Sequence, residues 1–241
     1  MKWALIFGAS GDIGNQIALD LAENGWSLYL HYFHNKIKMQ KLYAQLQVKY
    51  PQQDFLLLQY DLTDSQHLTR ITENLFTLDA LIFAQGTTEY GLFHDLEQQQ
   101  FNNLSQMQVN TPLRIVQLLE QKLAISRCGR IVFIGSVYGG NGSSMEVAYS
   151  TLKGTLSSFV NAYSKEVASL GITVNVVAPG AVDTKMNRTF TKQERDKVNE
   201  SIPMGRFAKV DEISYWVKVL LDEKAAYMTG QTLYISGGWL K

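Results

Sequence analysis

Residues 3–14 of the 241-residue chain read WALIFGASGDIG and are the most informative segment about its fold. It opens with five apolar residues, which is the length of a buried strand. Beyond this run, Ile13, Ile17 and Leu21 recur at every fourth position, and Gly25 stands where a left-handed helix stop belongs. The stretch therefore predicts a strand, a tight turn and an amphipathic helix.

Three glycines spaced three apart, Gly8, Gly11 and Gly14, form the turn between this strand and this helix. Because they have no side chains, backbone amides and the positive end of the helix dipole can approach a pyrophosphate there. Ser10 adds a hydroxyl that can donate to the phosphate, and Asp12 is expected to turn outward and cap the helix. The turn predicts a dinucleotide site, although a turn of this kind can also need glycine for its geometry alone.

Short apolar runs alternate with longer segments of helical period along the rest of the chain. Such alternation is typical of a parallel sheet covered by helices on both faces. We therefore predict an α/β fold: a single Rossmann-type, doubly wound, seven-stranded parallel sheet. The predicted strands are Trp3 to Phe7, Ser27 to His31, Phe55 to Gln59, Ala80 to Ala84, Arg130 to Gly135, Thr173 to Val177 and Thr232 to Ile235.

Composition narrows the class of protein. Charge balances at 22 basic and 22 acidic residues, so no global field draws the chain to nucleic acid or to a membrane surface, and neither partner is predicted. No apolar stretch is long enough to span a bilayer, and the single cysteine, Cys128, fits a reducing compartment, so we expect a cytoplasmic protein. Length favours one domain over residues 1–241, with residues 183–209 as a substrate lid inserted within it.

The end of the second predicted strand indicates which dinucleotide is bound. An NAD site usually has a carboxylate there for the ribose 2′-hydroxyl, but residues 31–36 contain none. Lys36 and the histidines could accept a 2′-phosphate instead, which favours NADP(H) over NAD(H), and a solvated loop is the alternative. His31 and His34 lie three apart on a strand end and point to different faces, so no metal site is predicted.

A tyrosine four residues before a lysine on a helix places both on one face, where the ammonium and an oxidised nicotinamide can lower the pKa of the phenol. Tyr149 and Lys153 form such a pair, and Ser136 lies thirteen residues before the tyrosine at a strand end, where parallel sheets bind ligands. We predict these three residues as catalytic and a second pair, Tyr32 and Lys36, as structural. Ser136 as a hydrolytic nucleophile is a weaker alternative, because no G-x-S-x-G elbow surrounds it.

Taken together, these residues resemble the short-chain dehydrogenases and reductases over essentially the whole chain. The resemblance implies that Tyr149 is the general acid, that Lys153 lowers its pKa and holds the nicotinamide ribose, and that Ser136 orients the carbonyl. It also implies that Asn110 anchors a water that feeds the proton relay. The expected cofactor-binding residues are Gly8, Ser10, Gly11, Ile13, Gly14, Lys36, Asp61, Leu62, Gly86, Tyr149, Lys153, Pro179, Gly180, Val182 and Thr184.

Some positions depart from the family pattern. The family usually has threonine where Phe7 stands and glycine where Asp12 stands, and its Asn-Asn-Ala-Gly motif reads Phe-Ala-Gln-Gly at residues 83–86. A basic residue common among NADPH-dependent members is replaced by Gly11. These departures fall mainly on the adenine side, so contacts there are expected to differ more than the chemistry does.

Shorter stretches indicate the substrate. Residues 171–180 and 229–232 are similar to bacterial 3-oxoacyl-acyl-carrier-protein reductases. Residues 146–150, 181–186 and 237–239 are more similar to reductases of 5-aminopentanone-modified elongation factor P. The resemblance therefore implies an NADPH-dependent reductase that converts a protein-borne ketone to a secondary alcohol. The alternative function is that of a 3-oxoacyl-acyl-carrier-protein reductase of fatty acid synthesis. An alternative of a different class is a catalytically silent protein that binds NADP as a sensor.

Two features predict partners. The segment 184–209 has seven basic and three acidic residues, so it could attract an acidic protein that carries the ketone substrate, although it could also be merely solvated. Family membership implies a homotetramer or homodimer built from the helices at residues 96–122 and 149–170 and the last strand. The basic residues are Lys185, Arg188, Lys192, Arg195, Lys197, Arg206 and Lys209.

Overall fold

A computed structural model of the chain describes residues 1–64, 66 and 68–239. Its seven strands form one parallel sheet in the order β3-β2-β1-β4-β5-β6-β7, which confirms the predicted fold class. Predicted strand bounds differ from the observed ones by two residues at most. The strands are β1 Lys2–Phe7, β2 Trp26–Tyr32, β3 Phe55–Gln59, β4 Ala80–Phe83, β5 Arg130–Ile134, β6 Thr173–Pro179 and β7 Thr232–Ile235.

Helices cover both faces of this sheet. The α-helices are α1 Asp12–Glu23, α2 Lys36–Lys49, α3 Thr69–Thr72, α4 Gln98–Ser105, α5 Thr111–Ile125, α6 Tyr138–Asn141, α7 Val147–Val167, α8 Lys192–Ser201 and α9 Val210–Leu221. A π-helical turn, Gln106–Asn110, separates α4 from α5, and short 3-10 turns occupy Phe93–Asp95, Ala168–Leu170, Lys185–Thr189 and Glu223–Ala225. Among the described residues, no helix combines the length and the apolar character needed to cross a bilayer.

Alternate residues of β1 point into two separate cores, as the period of a strand requires. Leu5 and Phe7 pack with α3, α5 and α7, whereas Ala4 and Ile6 pack with α1, α2 and α9. All four side chains are fully buried. A strand buried on both faces reads as a continuous apolar run, which is why this segment could be recognised from the sequence.

An aromatic row crosses the sheet, and at two of its positions, 7 and 83, the family that the sequence resembles usually has polar residues. Phe7, Phe83 and Phe133 are register partners on β1, β4 and β5. Their rings stack at centroid distances of 5.1 Å and 4.7 Å, with 8° and 11° between the ring planes. The two departures from the family pattern, at Phe7 and Phe83, are therefore related, because the two rings stack on each other in place of polar side chains that would need hydrogen-bond partners.

Strand order reverses between β1 and β4, so the connections that leave these two strands diverge. Ligands of open parallel sheets bind in the crevice that forms at such a point. The segment 183–209 follows β6 and rises over this crevice, with α8 as its main element. The fold thus brings the glycine turn, the ends of β4 and β5, and this segment to one edge of the sheet.

Candidate active site

A cavity of about 1100 Å³ opens at this edge. Most of the predicted site residues line it, from the glycine turn across to the residues after β6, whereas Gly14, Lys36 and Asn110 do not. The predicted residues that line it are Gly8, Ser10, Gly11, Ile13, Asp61, Leu62, Gly86, Ser136, Tyr149, Lys153, Pro179, Gly180, Val182 and Thr184.

The glycine turn is shaped by close backbone contacts. Gly8 has a φ of +74°, and a Cβ there would lie 2.6 Å from the backbone nitrogen of Gln85. A Cβ on Gly14 would lie 2.3 Å from the Gly8 carbonyl oxygen. Gly14 therefore lets α1 pack against the turn, which is a geometric role, while Gly11 faces the cavity at the helix N-terminus. The residues present fit the pyrophosphate of a dinucleotide, because the start of α1 faces the cavity with only a glycine at its N-cap.

Asp12 does not cap α1, contrary to our expectation. Its carboxylate instead accepts a hydrogen bond from the backbone N–H of Lys185 at 2.7 Å and pairs with Lys38 Nζ at 3.1 Å. Burial opposes ionisation, but these two partners outweigh it and hold the pKa of Asp12 below its usual range. Asp12, at a position where the family usually has glycine, therefore connects the phosphate turn to α2 and to the start of the 183–209 segment.

His31 supports the same turn from below. Its Nδ1 accepts the N–H of Gly8 at 3.3 Å, and its Nε2 lies 3.0 Å from the Tyr60 carbonyl oxygen, to which it donates. The ring is buried, and this burial lowers the pKa of His31 to about 4. The prediction that this histidine could accept a 2′-phosphate is therefore wrong, because the ring is neutral and both nitrogens are used.

The region after β2 supplies the other candidates for a 2′-phosphate. His34 and Asn35 line the cavity where α2 begins, and Asn35 is the N-cap residue of that helix. Lys36 is exposed on the first turn of α2 and lies outside the cavity lining. Tyr32 donates to Gln59 Oε1 at 3.3 Å, a contact between neighbouring strands.

The catalytic candidates converge from β5 and α7. Lys153 Nζ donates to the Ile134 carbonyl oxygen at 2.8 Å, and it lies 5.5 Å from the centroid of the Tyr149 ring. Ser136 hydrogen-bonds the Tyr149 hydroxyl. A Cβ on Gly139 would lie 2.8 Å from the Lys153 backbone, so this glycine lets α6 and α7 approach closely and places the lysine under the end of β5.

Burial dominates the ionisation of this group. It raises the pKa of Tyr149 to about 12, against the hydrogen bond from Ser136, and it lowers the pKa of Lys153 to about 8. The hydrogen bond from Ser136 lowers the pKa of the phenol, and the expected lowering by Lys153 together with an oxidised nicotinamide stays a prediction. Lys153 contacts the Ile134 carbonyl and the ring face.

Asn110 lies away from the site. Its amide is exposed and lies within hydrogen-bonding distance of Ser105 and Gln106 on its own helix. The physical reason is the π-helical turn, which shifts the register of the side chains that face the cleft. Pro112, in the first turn of α5, was the one sequence signal that the helix restarts here.

Gln108, which the sequence analysis missed, points inward at this turn. It is buried, and its Nε2 donates to the Thr87 carbonyl oxygen at 2.7 Å. Gln85, in the altered Asn-Asn-Ala-Gly motif, lines the cavity and donates to the Met107 carbonyl oxygen at 3.4 Å. Two glutamine amides therefore tie the π-helical turn to the loop after β4.

Part of the cavity wall is formed by residues that are not among the predicted site residues. Glu146 Oε1 accepts a hydrogen bond from Thr88 Oγ1 at 2.8 Å. Tyr138 and Trp239 pack against each other with ring centroids 5.7 Å apart. Tyr90 is largely exposed at the mouth. This part of the cavity wall is therefore aromatic and carries the carboxylate of Glu146.

Comparisons with known proteins define the class. A model of the family described as enoyl-(acyl carrier protein) reductase matches residues 8–240. The 3-oxoacyl-[acyl-carrier-protein] reductase FabG of Salmonella typhimurium is 31% identical, over 98% of this chain and 96% of that protein. The chain therefore belongs to the short-chain dehydrogenase/reductase family, and it is an NAD(P)-dependent oxidoreductase.

A second relative is more similar to this chain. The uncharacterized oxidoreductase YmfI of Bacillus subtilis is 39% identical, over 99% of this chain and 98% of that protein. Among solved structures, YwfH, an NADPH dependent reductase involved in bacilysin biosynthesis, superposes with a TM-score of 0.91 at 22% identity, over 98% of this chain and 97% of that one. A 3-oxoacyl-[acyl-carrier protein] reductase from Brucella melitensis superposes with a TM-score of 0.92 at 19% identity, over 100% of this chain and 91% of that one. At these identities the structures support the fold alone.

Proposed function

We propose that the protein reduces a protein-borne ketone to a secondary alcohol with NADPH, and that Ser136, Tyr149 and Lys153 carry the chemistry. The single observation behind this proposal is that these three side chains meet in the cavity that the glycine turn also lines. A nicotinamide cofactor, when bound, supplies the hydride. The protein's own residues supply position and a proton.

Each catalytic residue has one task. A phenol with a pKa of about 12 is protonated at neutral pH, so Tyr149 begins the reduction with the proton that the carbonyl oxygen needs. Ser136 orients that oxygen through its hydroxyl. The ammonium of Lys153, close to the ring, stabilises the negative charge that grows on the phenol as its proton leaves.

NADP(H) is the proposed cofactor. The strand end that would hold a ribose-binding carboxylate in an NAD site has His34 and Asn35 at the cavity instead. The N-terminus of α2 and the nearby Lys36 favour a phosphate there. The Kd for NADPH is expected to be at least tenfold lower than that for NADH, and Lys36→Ala is expected to narrow the difference.

The proposed substrate is the 5-aminopentanone group on elongation factor P, with 3-oxoacyl carrier protein as the alternative. Each of the stretches 146–150, 181–186 and 237–239, which carry the similarity, contributes residues to the cavity wall, Glu146, Met186 and Trp239 among them. The mouth exposes Tyr90, Met186 and Phe190, a surface suited to a macromolecular carrier. A small free ketone would leave these side chains in water.

The segment 183–209 is the proposed docking element, and we treat it as part of one domain with the sheet. Two of its basic residues are already paired, Arg195 with Asp183 at 3.2 Å and Arg206 with Glu212 at 2.7 Å. Lys185, Lys192 and Lys197 are exposed and remain to attract an acidic carrier. We further propose a cytoplasmic homotetramer or homodimer, which light scattering of the purified protein would test.

The test is NADPH oxidation with a simple β-ketoester and with each protein-borne ketone. Tyr149→Phe is expected to reduce kcat at least 1000-fold and to leave NADPH binding intact, whereas Tyr32→Phe serves as the matched control. Turnover that survives in Tyr149→Phe would exclude the proposed acid. Cofactor binding with no turnover of any ketone would favour the silent sensor.

Competition then distinguishes the two protein-borne substrates. With both at equal concentration, kcat/KM for modified elongation factor P is expected to exceed that for 3-oxoacyl carrier protein at least tenfold. The reverse ratio would establish the alternative. Added salt is expected to lower kcat/KM for the protein-borne ketone more than for the β-ketoester, and equal salt sensitivity would discard the docking role of the basic segment.

A further inference from the structure

We infer that Glu146 selects a ketone whose chain carries a protonated amine a few carbons from the carbonyl. This inference rests on the proposed function and sharpens it, because it assigns a charge to the substrate of the same site. Glu146 lies one helical turn before Tyr149 and lines the same cavity. A cation beside this carboxylate would therefore lie close to a carbonyl held at the Tyr149 hydroxyl.

The carboxylate faces the cavity and not its own helix. Glu146 is the N-cap residue of α7, but its side chain makes no capping hydrogen bond. Thr88 fixes it from the opposite wall through the 2.8 Å bond to Oε1. Within the described part of the chain, no lysine or arginine forms an ion pair with Glu146, so its charge is available to a ligand.

The charges around the cavity favour a cation at this end. Besides Glu146, the ionised side chains of the lining are Asp12, Asp61, Glu194, Lys153 and Lys185. Lys153 lies under the end of β5 and donates to the Ile134 carbonyl oxygen. The backbone N–H of Lys185 donates to Asp12, at the glycine turn of the proposed cofactor site. Glu194 also lines the cavity, where its carboxylate accepts hydrogen bonds from the backbone N–H and the hydroxyl of Thr191. The negative charge of Glu146 also contributes to the raised pKa of both Tyr138 and Tyr149.

Aromatic rings complete a site for an ammonium group. Tyr138 and Trp239 form one wall, and Tyr90 stands at the mouth beside them. Aromatic faces attract cations, by about 0.5–2 kcal/mol according to how far the site is desolvated. A carboxylate next to several rings is a chemistry that favours an ammonium ion over a neutral or anionic chain.

The test compares three ketones that differ only at the far end. They are 5-(dimethylamino)pentan-2-one, which is protonated at pH 7, its neutral carbon isostere 6-methylheptan-2-one, and the anionic 5-oxohexanoate. Glu146→Gln keeps the size of the side chain and an oxygen that can accept from Thr88, but it removes the charge. Glu89→Gln is the matched control, because Glu89 is exposed and lies outside this cavity.

The measured quantity is the ratio of kcat/KM for the cationic ketone to that for the neutral one. In the unaltered protein this ratio is expected to exceed ten, and in Glu146→Gln it is expected to fall at least tenfold, while Glu89→Gln changes it less than twofold. A ratio near one in the unaltered protein, or one that Glu146→Gln leaves unchanged, would overturn the inference.

A binding measurement separates this inference from the proposed function. Saturation-transfer NMR with NADP present reports whether the cationic ketone binds in preference to the neutral one, with or without turnover. Preference that is lost in Glu146→Gln supports the charge selection even if no ketone is reduced, an outcome that would count against the proposed function alone. Equal binding of the two ketones to the unaltered protein would refute the selection.

Discussion

The two halves of the cleft are built on different principles. The cofactor half is made of backbone and neutralised charge: close contacts fix the glycine turn, His31 is neutral, and Asp12 is paired with Lys38. The substrate half is made of side chains from distant parts of the sequence, including Thr88, Glu146 and Trp239, and its carboxylate has no cationic partner among the described residues. The difference shows where each half can change: the first through its packing, the second through single side chains.

The aromatic row beneath the cofactor half offers the largest effect. Phe83→Ala removes the middle ring of the row and is expected to lower the free energy of unfolding by about 4 kcal/mol, since a buried ring is replaced by a cavity. Denaturant titration measures this change. Tyr90→Ala, an exposed ring of the substrate half, is expected to cost less than about 1 kcal/mol. Equal costs for the two variants would contradict the distinction between the halves.

Lys153 lies where the halves meet, and its burial makes stability depend on pH. Its pKa is about 8 in the folded chain and near 10.5 when unfolded, so between these values the unfolded chain binds more protons and stability rises with pH. The rise is expected to total about 3 kcal/mol from pH 8 to 10.5. Lys153→Met should lose this rise, as measured by denaturant titration at several pH values, whereas Lys165→Met, on the exposed face of the same helix, should keep it.

Gly14→Ala tests whether the cofactor half depends on packing. The added Cβ would lie 2.3 Å from the Gly8 carbonyl oxygen, so the turn must move. We expect the Kd for NADPH to rise about 100-fold, or about 2.7 kcal/mol. Fluorescence titration measures it. Gly91→Ala is the control, because a Cβ there meets nothing within 4 Å. An unchanged Kd would mean that the turn tolerates a side chain and is not set by packing.

How far the sequence could predict each half follows from the same difference. The glycine spacing, the apolar strands and the Tyr149–Lys153 pair are local patterns, and local patterns determine a strand, a turn and a shared helix face. The sequence could not predict that Asn110 lies away from the cavity, because the π-helical turn changes which side chains of the helix face the cleft and leaves almost no local signal in the sequence. Tyr138 is not among the predicted site residues, because its packing against Trp239 joins segments that no sequence spacing connects.

Asp12 offers the smallest and most specific test, because it links the halves. Its carboxylate holds the backbone of Lys185, at the start of the 183–209 segment, and at the same time neutralises Lys38 beside the phosphate turn. Asp12→Asn weakens the first contact and releases the second cation. We therefore expect trypsin to cleave within residues 183–209 up to about fivefold faster, since a partly exposed contact of this kind contributes only about 1 kcal/mol.

The same substitution should act in the opposite direction on the cofactor. With Lys38 no longer paired, NADPH is expected to bind up to about threefold more tightly at low salt, and the gain should vanish at high salt because exposed charges are screened. Lys38→Met is the matched control, since it removes the cation and should give no such gain. If Asp12→Asn left both cleavage and binding unchanged, the two halves would be independent, and the acidic residue in the glycine turn would serve neither of them.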